Sequence, residues 1–308
     1  MTYPFVRIES TTPQGVVSAK IGIVGAGVQE FLFGEREVIP QGSDEAQQKW
    51  FAAVALAPWP NRLQDGVWSF EGQSLQGRLN DSLGHALHGL VFNKEFDVEQ
   101  SSPDAVRMHF RLGADAVYPF DVRITFSYRV DSTGLVCTME AQNLGSTKAP
   151  VGLGVHPYFP YRDDTTITCP GSKYFEVNSR LIPTGPLNPA AGKGVTPGEP
   201  SVLRGFVVDD CFTELTRDAD GLAHTVLTYA DGWETDVWQD EALPHTVVFT
   251  KPGFPWAHTK AHGIAIEPQT CPTNALQSGT DLVWLEPQEH FVAQWGIAVR
   301  PSEQGDSV

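Results

Sequence analysis

Between Val122 and Val130 every second residue is apolar: Val122, Ile124, Phe126, Tyr128 and Val130 alternate with Arg123, Thr125, Ser127 and Arg129. Successive side chains of a strand leave opposite faces, so this run is committed to a sheet with one packed face and one face against water or a second layer. Asp131-Ser132-Thr133-Gly134 supplies a turn, and Leu135, Cys137, Met139 and Ala141 carry the alternation back. The two runs predict an antiparallel hairpin. A second hairpin is expected at Val67-Trp68-Ser69-Phe70, turning at Glu71-Gly72, and further strands at 226–229, 246–250, 264–267 and 294–299. With 29 glycines and 23 prolines punctuating these runs, the expectation is all-β: a large antiparallel β-sandwich with few short helices.

The best helix candidate is 44–50, opened by Ser43 or Asp44 as cap, with Gln47 available for a capping box. Residues 181–200 are rich in Pro, Gly and Ala without periodicity and read as a long surface loop, not a linker. A chain of 308 residues admits one large β domain or two ordinary ones. With no linker in sight, a single domain over 1–308 is expected.

A formal net charge of −16 argues against nucleic-acid or anionic-membrane partners, which need a basic surface, and favours a neutral or small substrate. Cys137, Cys169, Cys211 and Cys271 lie far apart with no paired spacing, which suggests a reducing compartment and neither a zinc knuckle nor a disulfide scaffold. The N-terminus lacks a basic segment followed by an apolar one, and no apolar run is long enough to span a bilayer. These features predict a soluble, cytoplasmic protein.

Three motifs suggest cofactors and fail on context. Ile21-Gly22-Ile23-Val24-Gly25-Ala26-Gly27 begins like a dinucleotide fingerprint, but the third small position falls on Glu30 and strand follows instead of helix. A hairpin with close backbone approach is the better reading. His85 with His88, and His258 with His262, have spacings that place two ligands on one helix face, yet glycine or proline flanks both pairs. No metal site is expected from them.

Gly152-Leu153-Gly154-Val155-His156-Pro157-Tyr158-Phe159 places one histidine at the end of an apolar run, held extended by the proline after it, while Gly152 and Gly154 permit close approach. Gly263-Ile264-Ala265-Ile266-Glu267-Pro268 repeats this grammar with a carboxylate at a strand end. His156 and Glu267 facing one pocket, or a core histidine and a solvated strand end, are both open from these residues alone. Polar residues also stand in apolar or glycine-rich settings at Trp59-Pro60-Asn61-Arg62, Leu87-His88-Gly89 and Asp209-Asp210-Cys211-Phe212. The order Asn-Arg, Leu-His-Gly, His-Pro-Tyr-Phe, Asp before an aromatic, then Glu near Pro272-Thr273-Asn274-Ala275 resembles the aldose 1-epimerase (galactose mutarotase) family, from about Pro58 onward. Leu90 after Gly89 and Pro157 after His156 are similar to the shorter bacterial branch.

The resemblance implies a galactose-mutarotase-like β-sandwich that interconverts the α and β anomers of an aldose, with no cofactor and no metal. It implies Glu267 as general base on the anomeric hydroxyl and His156 as acid on the ring oxygen. Arg62, His88 and Asp209, with Asn61 beside them, are then the sugar-binding residues, although the doubled acid leaves Asp209 or Asp210 open. A carboxylate and a histidine with pKa values near working pH suit a reaction that removes one proton and delivers another. Trp59, Tyr158 and Phe159 are candidates to stack on a sugar face, core packing being the commoner role for such aromatics. Alternatives are a hexose-6-phosphate 1-epimerase, which needs extra Arg or Lys, a sugar-binding module without catalysis, and glycoside cleavage by two carboxylates. Neither the sugar nor the oligomeric state is legible.

Overall fold

The alternating run forms the strand Val122–Asp131 in a computed structural model that describes residues 4–13 and 15–302. Val122, Ile124, Phe126, Tyr128 and Val130 are all buried. The strand pairs antiparallel with Gly134–Asn143, with Val130 opposite Leu135 and Asp131 opposite Gly134. Asp131 closes the turn by accepting from the backbone N–H of Thr133 at 2.8 Å and from its hydroxyl at 2.6 Å. This hairpin lies within a nine-stranded sheet ordered Asp97–Ser101, Ala105–Leu112, Val122–Asp131, Gly134–Asn143, His290–Pro301, Trp233–Gln239, Ala223–Thr228, Thr166–Thr168, Pro200–Val202.

An eight-stranded sheet runs Pro183–Pro189, Gly171–Val177, Asp209–Leu215, His245–Lys251, His262–Gln269, Gly154–Val155, Ala55–Leu56, and Tyr158–Tyr161 also pairs with His262–Gln269. A third, four-stranded sheet contains Phe5–Thr12, Gly15–Gly22, Val28–Phe33 and Arg36–Ile39. One apolar cluster joins the three sheets through Ile8 and Phe31, Ile124 and Trp295, and Phe212, Val248 and Ile266. Each large side chain buried there contributes about 1.5–3 kcal/mol. This is the antiparallel β-sandwich expected, with two short helices, Asp44–Trp50 and Ala275–Ser278, among the described residues.

The two faces of the eight-stranded sheet have different uses. Its registers align Cys211 with Val247 and Glu267, and Asp209 with Phe249 and Ala265. Paired residues share a face, so Asp209 and Glu267 emerge together, while Asp210, Val248 and Ile266 emerge on the other side. Phe212, Val248, Ile264 and Ile266 fill the shared core, leaving the first face to carry polar groups.

Several details differ from the sequence expectation. Within 181–200, residues Pro183–Pro189 form an edge strand on Gly171–Val177, followed by a 3-10 turn at Ala190–Lys193. Prolines are tolerated at a sheet edge, and little of that strand is buried, so it carries no apolar alternation. Ser43 caps the helix Asp44–Trp50 by accepting from the N–H of Ala46. With that cap the capping-box position is Ala46, so Gln47 does not form the box. Glu267 lies inside the strand His262–Gln269 and not at its end. The glycine-rich stretch after Gly15–Gly22 is a turn with bridges from Val24 to Glu95 and from Ala26 to Val54. A Cβ on Gly27 would lie 2.1 Å from the carbonyl of Ala53, which is the close approach expected there.

Candidate active site

His156 follows the two-residue strand Gly154–Val155 and is fixed by its backbone on both sides. Its N–H donates to the carbonyl of Val54 at 3.1 Å, and its carbonyl accepts from Ala53 at 3.2 Å. The glycines before it are packing requirements: a Cβ on Gly152 would stand 2.5 Å from Cys271 Sγ. Tyr158 pairs with Ala265 and Phe159 with Ile264, which sets the His156 segment beside the strand that carries Glu267.

The imidazole and the carboxylate meet, with His156 Nε2 3.3 Å from Glu267 Oε1. The other carboxylate oxygen, Oε2, accepts from Gln269 Nε2 at 2.9 Å. Both residues of the pair are buried, at 5 % and 2 % exposure. Burial, reinforced by the Asp209 charge, pushes the Glu267 carboxyl well above the usual carboxylate range, against the opposing effects of Gln269 and Arg62. Burial lowers the His156 imidazole to about 3. Both shifts favour uncharged groups, a protonated carboxyl beside a neutral imidazole.

Asn61, Arg62 and His88 come from a two-strand ladder in which Arg62–Leu63 pairs with Ala86–Leu87. Asn61 and His88 flank it in left-handed conformations, φ 54° and 64°. The backbone N–H of His88 donates to the Asn61 carbonyl at 2.9 Å, and the Asn61 N–H donates to His88 Nδ1 at 3.3 Å. A neutral ring that accepts at Nδ1 carries its proton at Nε2 and can donate from there. Burial, followed by the neighbouring His156 and Arg62, holds His88 well below the usual histidine range. Arg62 Nε donates to Asp81 Oδ2 at 3.0 Å and its Nη1 to Asn61 Oδ1 at 3.3 Å, so the guanidinium is aimed before any ligand arrives.

A cleft of about 570 Å³ collects Asn61, Arg62, His88, His156, Asp209 and Glu267, all six residues that sequence reasoning had singled out. Asp209 lines it, and its carboxyl is raised chiefly by burial. Asp210 points to the opposite face of the sheet and pairs with Lys193 Nζ at 2.9 Å, so of the two adjacent acids Asp209 is the one that lines the cleft. Of the aromatic candidates only Tyr158 lines this cleft; Phe159 is fully buried in the core, and Trp59 is buried beside a neighbouring cleft. His85 is turned away, accepting from the Asp65 N–H at Nδ1 with Nε2 3.0 Å from the Arg180 carbonyl.

Sequence reasoning missed Asp81, which orients Arg62, and Gln269, which holds Glu267. It also missed the wall formed by Lys49, Trp50, Phe51 and Phe249. Gln269 had a signal, since it stands two residues from Glu267 on one strand and therefore on the same face. Phe51 had none, because it reaches the cleft by ending the helix in a left-handed conformation.

An antiparallel sandwich with this polar cleft on one sheet face has the galactose-mutarotase-like fold. The chain belongs to the aldose 1-epimerase family, whose sequence pattern matches residues 8–297. It is 28% identical over 284 residues to the uncharacterized protein YihR of Escherichia coli K12, covering 88% of this chain and 87% of that one. Against the human galactose mutarotase it is 28% identical over 157 residues, covering 47% of this chain and only 44% of the relative. Among solved structures, the GalM/aldose epimerase homologue from C. elegans superposes with a TM-score of 0.83 at 18% identity, over 97% of this chain and 100% of that one. A galactose mutarotase-like protein from Clostridium acetobutylicum gives 0.81 at 17% identity, over 96% and 99%. At such identities the likeness establishes the fold alone. No helix among the described residues is long and apolar enough to cross a membrane.

Proposed function

We propose that this protein interconverts the α and β anomers of an aldose by general acid and base catalysis. The observation that carries the reading is the facing of His156 Nε2 and Glu267 Oε1 at 3.3 Å, in a cleft ringed by sugar-compatible donors and acceptors. Glu267 as carboxylate takes the proton of the anomeric hydroxyl. As C1–O1 becomes a carbonyl, the bond from C1 to the ring oxygen breaks, and that oxygen receives a proton from His156. Rotation about the C1–C2 bond presents the other carbonyl face, and closure with the proton movements reversed yields the second anomer.

The pair holds one proton in either arrangement. Burial alone favours neutral imidazole and protonated carboxyl, whereas the reaction starts with the proton on His156. A bound sugar shifts the balance, because its anomeric hydroxyl donates to the carboxylate while its ring oxygen accepts from the imidazolium. Arg62 and His88 Nε2 donate to other hydroxyls, and Asp209 and Asn61 complete the set. The cations lining the cleft, Arg62 and Lys49, are already paired with Asp81 and Glu45 at 3.0 and 3.1 Å, which favours a neutral aldose over a 6-phosphate.

The test is polarimetry of freshly dissolved α-glucose and α-galactose and of the 6-phosphates. Acceleration of at least one neutral aldose, with an unchanged final anomer ratio, is expected. Background rates across a broad panel would leave a binding module in its place.

A further inference from the structure

The turn that carries Asp81 is closed on itself and then held from outside. Asp81 Oδ1 accepts from the N–H of Leu83 at 3.3 Å while Oδ2 accepts from Arg62 Nε at 3.0 Å, so one carboxylate both shapes the turn and aims the guanidinium. The N–H groups of Asn80 and Asp81 donate to the carbonyl of His85 at 3.0 and 3.2 Å, and the N–H of Gly84 donates back to Asp81 at 3.0 Å. The carbonyls of Leu83 and Gly84 take their donors from a distant residue, Arg180, whose Nη2 reaches them at 3.1 and 3.4 Å and whose Nε reaches Leu83 at 3.3 Å.

His85 returns the grip. Its buried ring accepts from the Asp65 N–H at Nδ1, so a neutral ring carries its proton at Nε2, which donates to the Arg180 carbonyl at 3.0 Å. Arg180 itself is set by Asn178, whose side-chain oxygen accepts from the N–H groups of Arg180 and Ile182 at 2.8 and 3.2 Å. The residue between them, Leu181, stands in a left-handed conformation at φ 59°, which leucine adopts only where its surroundings fix the backbone. Asp81, Leu83 and Leu181 line the cleft, whereas Arg180 and His85 do not.

We propose that Arg180, latched by His85, is a positioning residue for the sugar: it holds the turn 81–85, the turn holds Asp81, and Asp81 holds the guanidinium of Arg62 in the cleft. The inference rests on the reading of that cleft as the aldose site. A long side chain that is free in the empty protein must be ordered when the ligand arrives, and that entropic cost is subtracted from affinity. With the latch intact the cost is met on folding. Without it, the loss falls on sugar binding and not on the proton transfers between substrate, His156 and Glu267.

Calorimetric titration with the 1,5-anhydro analogues of glucose and galactose, which cannot ring-open, reads binding apart from turnover. Arg180→Ala should weaken binding of at least one analogue by about five- to tenfold, the scale of coupling within one hydrogen-bonded network. In an Arg62→Ala background the same change should cost no more than about twofold, since no guanidinium is left to aim. Equal losses in the two backgrounds overturn the proposal. A second readout needs no ligand: the Arg62 Nε–H resonance, assigned by its absence from Arg62→Ala, should exchange with water about tenfold faster in Arg180→Ala than in the native protein. Unchanged exchange overturns the proposal too. The Arg180 side chain is 41% exposed, and the urea midpoint verifies that the variant remains folded. In polarimetry Arg180→Ala should raise KM while kcat on the pH plateau stays within about twofold, and a fall in kcat at unchanged KM counts against the latch. A native protein that anomerises no aldose refutes the catalytic reading alone, because exchange at Arg62 still decides the latch.

Discussion

Replacing Gln269 with methionine measures what one buried hydrogen bond contributes to the ionisation of Glu267. The amide donates to Glu267 Oε2 at 2.9 Å, and with exposures of 0 % and 2 % neither residue leaves room for bulk water to take its place. Methionine keeps the length of glutamine but donates nothing, and the lost amide oxygen, Gln269 Oε1, has no partner to strand. A hydrogen bond to a charged group contributes about 1.5–3 kcal/mol, and one pKa unit corresponds to about 1.4 kcal/mol. The Glu267 carboxyl, already raised by burial and by Asp209, should therefore rise by a further one to two units or so. A base must be deprotonated, so the acid limb of kcat/KM should move to higher pH by that amount, and activity should recover toward the native plateau above it. Polarimetric progress curves across the pH range give the profile. An acid limb that stays in place while the plateau falls uniformly would refute the reasoning, since the group responsible would then not be the one Gln269 touches.

Glu267→Gln should lower turnover by about two to four orders of magnitude, with sugar affinity retained in calorimetry. It should also stabilise the protein: a carboxyl whose folded pKa is raised contributes most below its unfolded value of about 4.3 and loses that contribution as pH rises through the folded one, so the gap in urea midpoint between variant and native protein should widen with rising pH. Asp209→Asn should raise KM for an aldose by about tenfold. Asp210→Asn, which cuts the Lys193 pair on the other sheet face, should spare KM and shift the unfolding midpoint instead. Ser43→Ala removes the helix cap and should cost about 1 kcal/mol in urea denaturation without altering turnover.

How much of this could be read from the sequence followed from period. The strand Val122–Asp131 and its return announce themselves because one face is buried along their whole length. Pro183–Pro189 was invisible because an edge strand with little buried surface has no alternation to show. At the site, residues that touch the cleft from regular or proline-stiffened backbone, such as His156 and Glu267, carry local marks. Asp81 and Phe51 do not: each reaches the cleft through a turn or a left-handed residue whose direction depends on long-range packing, Asp81 against Arg62 nineteen positions away and Phe51 against His88. Asp209 and Asp210 illustrate both cases, since adjacency marked the pair while only the register with Phe249 and Val248 assigned each to a face.

The same burial that makes Glu267 and His156 costly as a charged pair gives them a reason to be there. A solvated carboxylate and imidazole would ionise near their ordinary values whether or not sugar was present, and water would serve both proton transfers. Enclosed at 2 % and 5 % exposure, they favour the uncharged arrangement, and on the proposed mechanism a bound sugar reverses this by supplying a donor to one and an acceptor to the other. On the proposed mechanism the energetic penalty of the charged arrangement is coupled to substrate, and Gln269, Arg62 and Asp209 act on Glu267 from three directions: Gln269 and Arg62 favour the carboxylate, and Asp209 opposes it. Substitutions at these three positions should therefore move the acid limb in predictable senses, upward for Gln269→Met and Arg62→Ala and downward for Asp209→Asn. Movement of Asp209→Asn in the same direction as the other two would show that its charge does not act on Glu267.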